Sequence, residues 1–189
     1  LVGVITVPSA VAFLLFGPLI TQSIFIGISD DDSRYIGYVL SALSFGLVAF
    51  SINLILIRGF NAFEDTKTQV MSILVINVLS VAMSYFFLYF VKNQWVTIGL
   101  GVAFSVSYII GLFVTLRLLR KHTGRLAFSE FIGQHVRLLI ASLLAMLPLF
   151  AMTQYISWLN IEFSRAARAG ELLVVMVVAF IAYIVGAKA

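Results

Sequence analysis

The densest set of potential ligands in the 189-residue chain is the run Asp30, Asp31 and Asp32. Three adjacent carboxylates could attract a divalent cation, but such a run in an exposed turn reads first as a solvated loop. His122 and His135 lie too far apart, with too few companions, to make a metal site. Glu64 and Asp65 have no nucleophile beside them with which to share acid–base work. The chain has no cysteine, which removes disulfides, thiolate–metal sites and cysteine nucleophiles. These residues point away from an enzyme, a metal site and a cofactor.

A second kind of chemistry is the passage of polar cargo through an apolar medium. Ser41, Ser44 and Ser51, with Val48, form a mildly polar stripe at helical spacing, and Asn77, Ser80 and Ser84 form another. Both stripes are candidates for lining a substrate path. The alternative is packing, because serine can satisfy its own helix and asparagine can bond across a helix pair. Ala42, Gly46, Ala49 and Asn53 make a small-residue stripe that reads as a packing seam.

Helices must carry these stripes. Hydrophobic residues make up 62% of the chain and charged residues 11%, with a mean hydropathy of +1.11. Soluble domains carry about 25% charged residues, so lipid must solvate much of this surface. The apolar runs approach the roughly 20 residues that a bilayer-spanning helix needs, and they are apolar on every face rather than alternating as in a barrel strand. The expectation is an all-α integral membrane domain with six spans near residues 2–28, 36–57, 70–91, 95–116, 138–156 and 172–185. Pro8, Pro18 and Pro148 all fall inside spans, and Gly17-Pro18 marks a candidate break in the first. No span has an ionisable residue near its middle, unlike a pump or voltage sensor. Residues 117–137 form a basic segment. Within it, Phe128, Phe131, Ile132 and His135 share one helical face, which suits either a short interfacial helix or a cytoplasmic extension of the next span.

Charge placement sets the orientation. With the N-terminus inside, Arg58, Lys67, Arg117, Arg120, Lys121, Arg125, Arg137 and Lys188 lie on the inner side. Arg34, Lys92, Arg165 and Arg168 lie outside. The positive-inside rule then gives cytoplasmic N- and C-termini. The net charge of +4 is read as topology rather than nucleic-acid binding. The start at Leu1, with no basic stretch ahead of it, does not read as a signal peptide and suggests part of a longer protein.

The loop after the second span reads Arg58-Gly59-Phe60-Asn61-Ala62-Phe63-Glu64-Asp65-Thr66-Lys67-Thr68-Gln69. It resembles the cytoplasmic loop of the MurJ/MviN family of lipid II flippases, R-x-F-Y-A-x-x-D-T-[RK]-T-P. Arg58, Phe60, Ala62, Asp65, Thr66, Lys67 and Thr68 match, whereas Asn61 and Gln69 replace a tyrosine and a proline. Pro18-Leu19-Ile20, Asn77 and the run from Ile98 to Lys121 are similar to other family segments. The resemblance implies spans nine to fourteen of a fourteen-helix exporter in the bacterial plasma membrane. The missing N-terminal spans would carry the cavity arginines, and the last two helices would form part of a groove for a lipid tail. It further implies alternating-access export of a lipid-linked peptidoglycan precursor, with no cofactor. Alternatives are an exporter of another polyprenyl-linked oligosaccharide, or a membrane scaffold that binds a cytoplasmic regulatory partner. Where some members ligate sodium, this chain has Val81 and Phe104, so sodium coupling is not expected. Asp65 or Thr66 is a candidate N-cap for the third span.

Overall fold

The computed structural model describes residues 2–25, 27–123, 128–158 and 165–188. They form six α-helices and a short 3₁₀ turn: α1 (Val2–Ile24), α2 (Asp30–Ala62), α3 (Thr66–Phe90), the turn Asn93–Trp95, α4 (Val96–Thr123), α5 (Phe128–Trp158) and α6 (Arg165–Lys188). Helices α1 to α5 are each long and apolar enough to cross a membrane, and α6 carries a shorter apolar stretch, Gly170–Ile184. The protein is therefore an all-α membrane protein of about six helices. At 1.5 Å per residue the 33 residues of α2 extend about 50 Å. That exceeds a hydrocarbon core of about 30 Å, so the ends of α2 reach into the polar layers.

The chain divides into two compact units. One comprises Leu1–Thr6 and Ala42–Ile132, the other Val7–Ser41 and Gly133–Ala189. In the first unit α3 packs along α4, and Gly46 of α2 meets Ser105 of α4. A Cβ on Gly46 would fall 2.6 Å from the Ser105 Cα, so only glycine permits this approach. Ser105 then ties the helices together. Its Oγ donates to the Ala42 carbonyl at 2.7 Å and accepts from the Gly46 N–H at 3.0 Å. One hydroxyl thus bonds both members of an i, i−4 pair on α2.

The second unit is centred on Val11, Ala12, Phe16 and Ile20 of α1 with Met146 of α5 and Val175 and Ala179 of α6. Phe16 and Phe150 meet edge-on, with centroids 6.0 Å apart. Neither Pro8 nor Pro18 interrupts α1. The Gly17-Pro18 pair is a crossing point instead of a break. A Cβ on Gly17 would lie 2.6 Å from the Gly37 carbonyl oxygen, and one on Gly37 would overlap Pro18. The crossing is secured by Thr21 Oγ1, which donates to the Ser33 carbonyl at 2.6 Å.

Two segments differ from the simplest loop reading. Asp30, Asp31 and Asp32 form the first turn of α2, where carboxylates favourably face the helix dipole. Ser29 Oγ accepts from the Asp32 N–H at 3.0 Å and donates to the Asp32 carboxylate at 2.6 Å. This is a capping arrangement signalled by a serine three residues before an acid. In the basic segment, the backbone is helical without interruption from Phe128 into the fifth span, so residues 128–137 continue that span. Arg125 lies outside the described residues.

Candidate functional site

The serine stripe on α2 is engaged in packing and in its own helix. Ser41 is half-buried, and its Oγ lies 3.0 Å from the Phe13 carbonyl oxygen of α1 and 3.1 Å from that of Gly37. Ser44 is buried. Ser51, also half-buried, donates to the Leu47 carbonyl at 2.9 Å. Ser41 belongs to the second unit, whereas Ser44 and Ser51 belong to the first.

On α3 the arrangement is different. Ser72 and Ile76 are buried, and both turn toward α4. Ser72 pairs with Thr115, and Gly111 makes room for Ile76. Asn77 is exposed on α3, with Ser80 and Ser84 half-buried nearby. Val78, Val81 and Tyr85 are exposed too, so this side of α3 is not covered by the first unit. Asn53, in contrast, is fully buried on α2. The two asparagines carry the same sequence-based expectation of an interhelical partner, and their surroundings diverge. Of the two positions that the family resemblance aligns with sodium ligands, Val81 is exposed and Phe104 joins an aromatic group. The Phe104 ring lies 4.6 Å from that of Tyr108 and 6.1 Å from that of Phe50, centroid to centroid.

The family-like loop is a two-sided helix cap. The Asp65 N–H donates to the Phe60 carbonyl at 3.1 Å, and the Glu64 N–H to the Asn61 carbonyl at 3.2 Å. These are the two bonds of a Schellman ending to α2. Glu64 occupies its left-handed position, with φ of 56°. Asp65 then caps α3, its Oδ1 accepting from the Thr68 N–H at 3.0 Å. Arg58, Thr66 and Lys67 are exposed around this turn, whereas Phe60 is fully buried and anchors it. The spacing of Phe60, Asp65 and Thr68 therefore follows from ending one helix and starting the next within three residues.

In the second unit, α5 and α6 line a half-open apolar pocket of about 240 Å³, bordered by Leu149, Met152, Ile156, Val174 and Val175. Thr153 and Glu171 add polar groups to its wall. The composition of this wall suits an acyl or polyprenyl chain better than a polar solute.

Comparison with known proteins gives one informative result. No curated protein matches the chain. A family model for the lipid II flippase MurJ, however, matches residues 1–178, taking in the α2–α3 cap, the α2–α4 seam and the α5–α6 pocket. This multi-pass protein of the bacterial plasma membrane belongs to the MurJ lipid II flippase family.

Proposed function

We propose that the chain supplies the C-terminal spans of a transporter that moves lipid-linked peptidoglycan precursor across the bacterial plasma membrane by alternating access. The observation that carries this reading is the family match across residues 1–178. The apolar α5–α6 pocket supports it as a place for the lipid tail. The uncovered side of α3, with Asn77, Ser80 and Ser84, supports it as a face toward either the polar route or the preceding spans. An asparagine at this depth is too costly to leave against lipid. The preceding spans would carry the charged groups that grip a diphosphate, since no span here has an ionisable residue near its middle. Asp65 caps α3, and the exposed Arg58, Thr66 and Lys67 beside it face the cytoplasm instead of touching cargo.

The test is depletion of the intact protein in its own host. Lipid-linked precursor should accumulate in the inner leaflet, and wild-type protein should restore its export. An unchanged precursor distribution, with accumulation of a different polyprenyl-linked oligosaccharide, would instead assign the other substrate. No change in any lipid-linked saccharide would favour the scaffold.

A further inference from the structure

Asn53 is 1% exposed in the C-terminal half of α2, and its Oδ1 is the buried side-chain atom without a hydrogen-bond partner among the described residues. The burial comes from the chain's own helices, so no outside protein segment can reach this atom while they stay packed. An unmade acceptor inside a bilayer protein is strongly unfavourable, and a small enclosed donor is the remaining way to satisfy it.

The helix register shows what else lies nearby. Gly46 meets Ser105, and further along Gly59 meets Leu119, so α2 and α4 run in the same direction. Heptad steps from Gly46 lead to Asn53 and Phe60, and the same steps from Ser105 lead to Leu112 and Leu119. Asn53 therefore faces α4 at the level of Leu112. Thr115 is less than a turn away, about 4.5 Å along the axis. At about 100° per residue, Thr115 also lies about 40° from Leu119, which faces α2, and about 40° from Gly111, which faces α3. It sits where three helices meet.

Thr115 is fully buried, and so is Ser72 opposite it on α3. Thr115 Oγ1 donates to the Gly111 carbonyl at 2.9 Å and lies 2.5 Å from Ser72 Oγ. One proton joins the two hydroxyls, and either can supply it. Both hydroxyl oxygens keep lone pairs. The hydroxyl pair thus offers acceptors to Asn53, whose own Nδ2 cannot donate to its own Oδ1.

We infer that one ordered water occupies the α2–α3–α4 junction, donating one proton to Asn53 Oδ1 and the other to the Ser72–Thr115 pair. Water supplies two donors in the volume of a single atom and commonly fills this role in protein interiors. A monovalent cation would also seek acceptors. However, α3, α4 and α2 beyond its first turn contain no Asp or Glu to balance its charge.

The site can be tested on the intact protein in lipid nanodiscs, at a resolution that shows waters. A density peak about 2.6–3.2 Å from Asn53 Oδ1 is expected, with a second contact to Ser72 or Thr115. Asn53→Ala and Thr115→Val should each lower the unfolding temperature, and the double variant should lower it by less than the sum. Thr115→Ser, which keeps the hydroxyl, should behave like wild type. A dry Oδ1, a stabilising Asn53→Leu, or additive single effects would overturn the inference. So would an unfolding temperature raised by sodium but not by choline, which would place a cation there instead.

Discussion

Glu64 and Asp65 sit side by side and do opposite things to the stability of the α2–α3 turn. Glu64 holds a left-handed backbone conformation that a side chain disfavours by roughly 1–2 kcal/mol. Asp65 repairs the start of α3 by accepting a backbone N–H. Glu64→Gly should therefore stabilise the protein by about 0.5–1 kcal/mol, less than the full strain because glycine also loosens the unfolded chain. Asp65→Ala should destabilise it by about 1 kcal/mol, and Asp65→Asn should recover most of the loss. Thermal unfolding in detergent, followed by tryptophan fluorescence or light scattering, would separate the three variants. The Asp65 cap was legible in the sequence because an aspartate before Thr-x-Thr and an apolar run has few other uses. The strain at Glu64 was not, since nothing in its residue type marks a left-handed position that is usually held by glycine.

At the scale of the element, the α2–α4 seam depends on one absent side chain. Gly46→Val would drive a Cβ into the Ser105 backbone and break both hydrogen bonds made by the Ser105 hydroxyl. A loss of about 2–3 kcal/mol is expected, seen as a lowered unfolding temperature. Gly133→Ala on α5, where a Cβ meets nothing, should be near neutral. The small-residue stripe that contains Gly46 could be read from spacing. Which helix it packs against could not, because spans that are apolar on every face have no preferred side. For the same reason the sequence could not distinguish buried Asn53 from exposed Asn77. Burial there depends on which neighbour arrives, and only the three-dimensional register of α2, α3 and α4 decides it.

For the whole molecule, the count of helices and their apolar lengths follow directly from hydropathy, because the bilayer fixes how long a span must be. Orientation rests on charge alone and has a direct test. A fluorescent protein fused after Ala189 should fold and fluoresce in the cytoplasm, and alkaline phosphatase inserted near Asp31 should be active outside. Active phosphatase at the C-terminus would reverse the assigned orientation. The continuous helix from Phe128 was left open by sequence because basic and aromatic residues interleave in residues 117–137. That pattern suits an interfacial helix as well as a protruding one.

The hydroxyl bonds within the spans bear on how such a chain is built at the ribosome. Ser23, Ser51, Ser107 and Ser142 each donate to a carbonyl four residues back on their own helix. They are satisfied as soon as that helix forms, so a span can leave the insertion channel and wait in lipid. Ser105, by contrast, needs the carbonyl of Ala42 and the N–H of Gly46, and Ser72 needs Thr115. Those partners lie on other helices, and α4 is the last of the three to be synthesised. The arrival of α4 therefore completes the polar contacts of the α2–α3–α4 group, which can assemble before α5 and α6 enter the membrane.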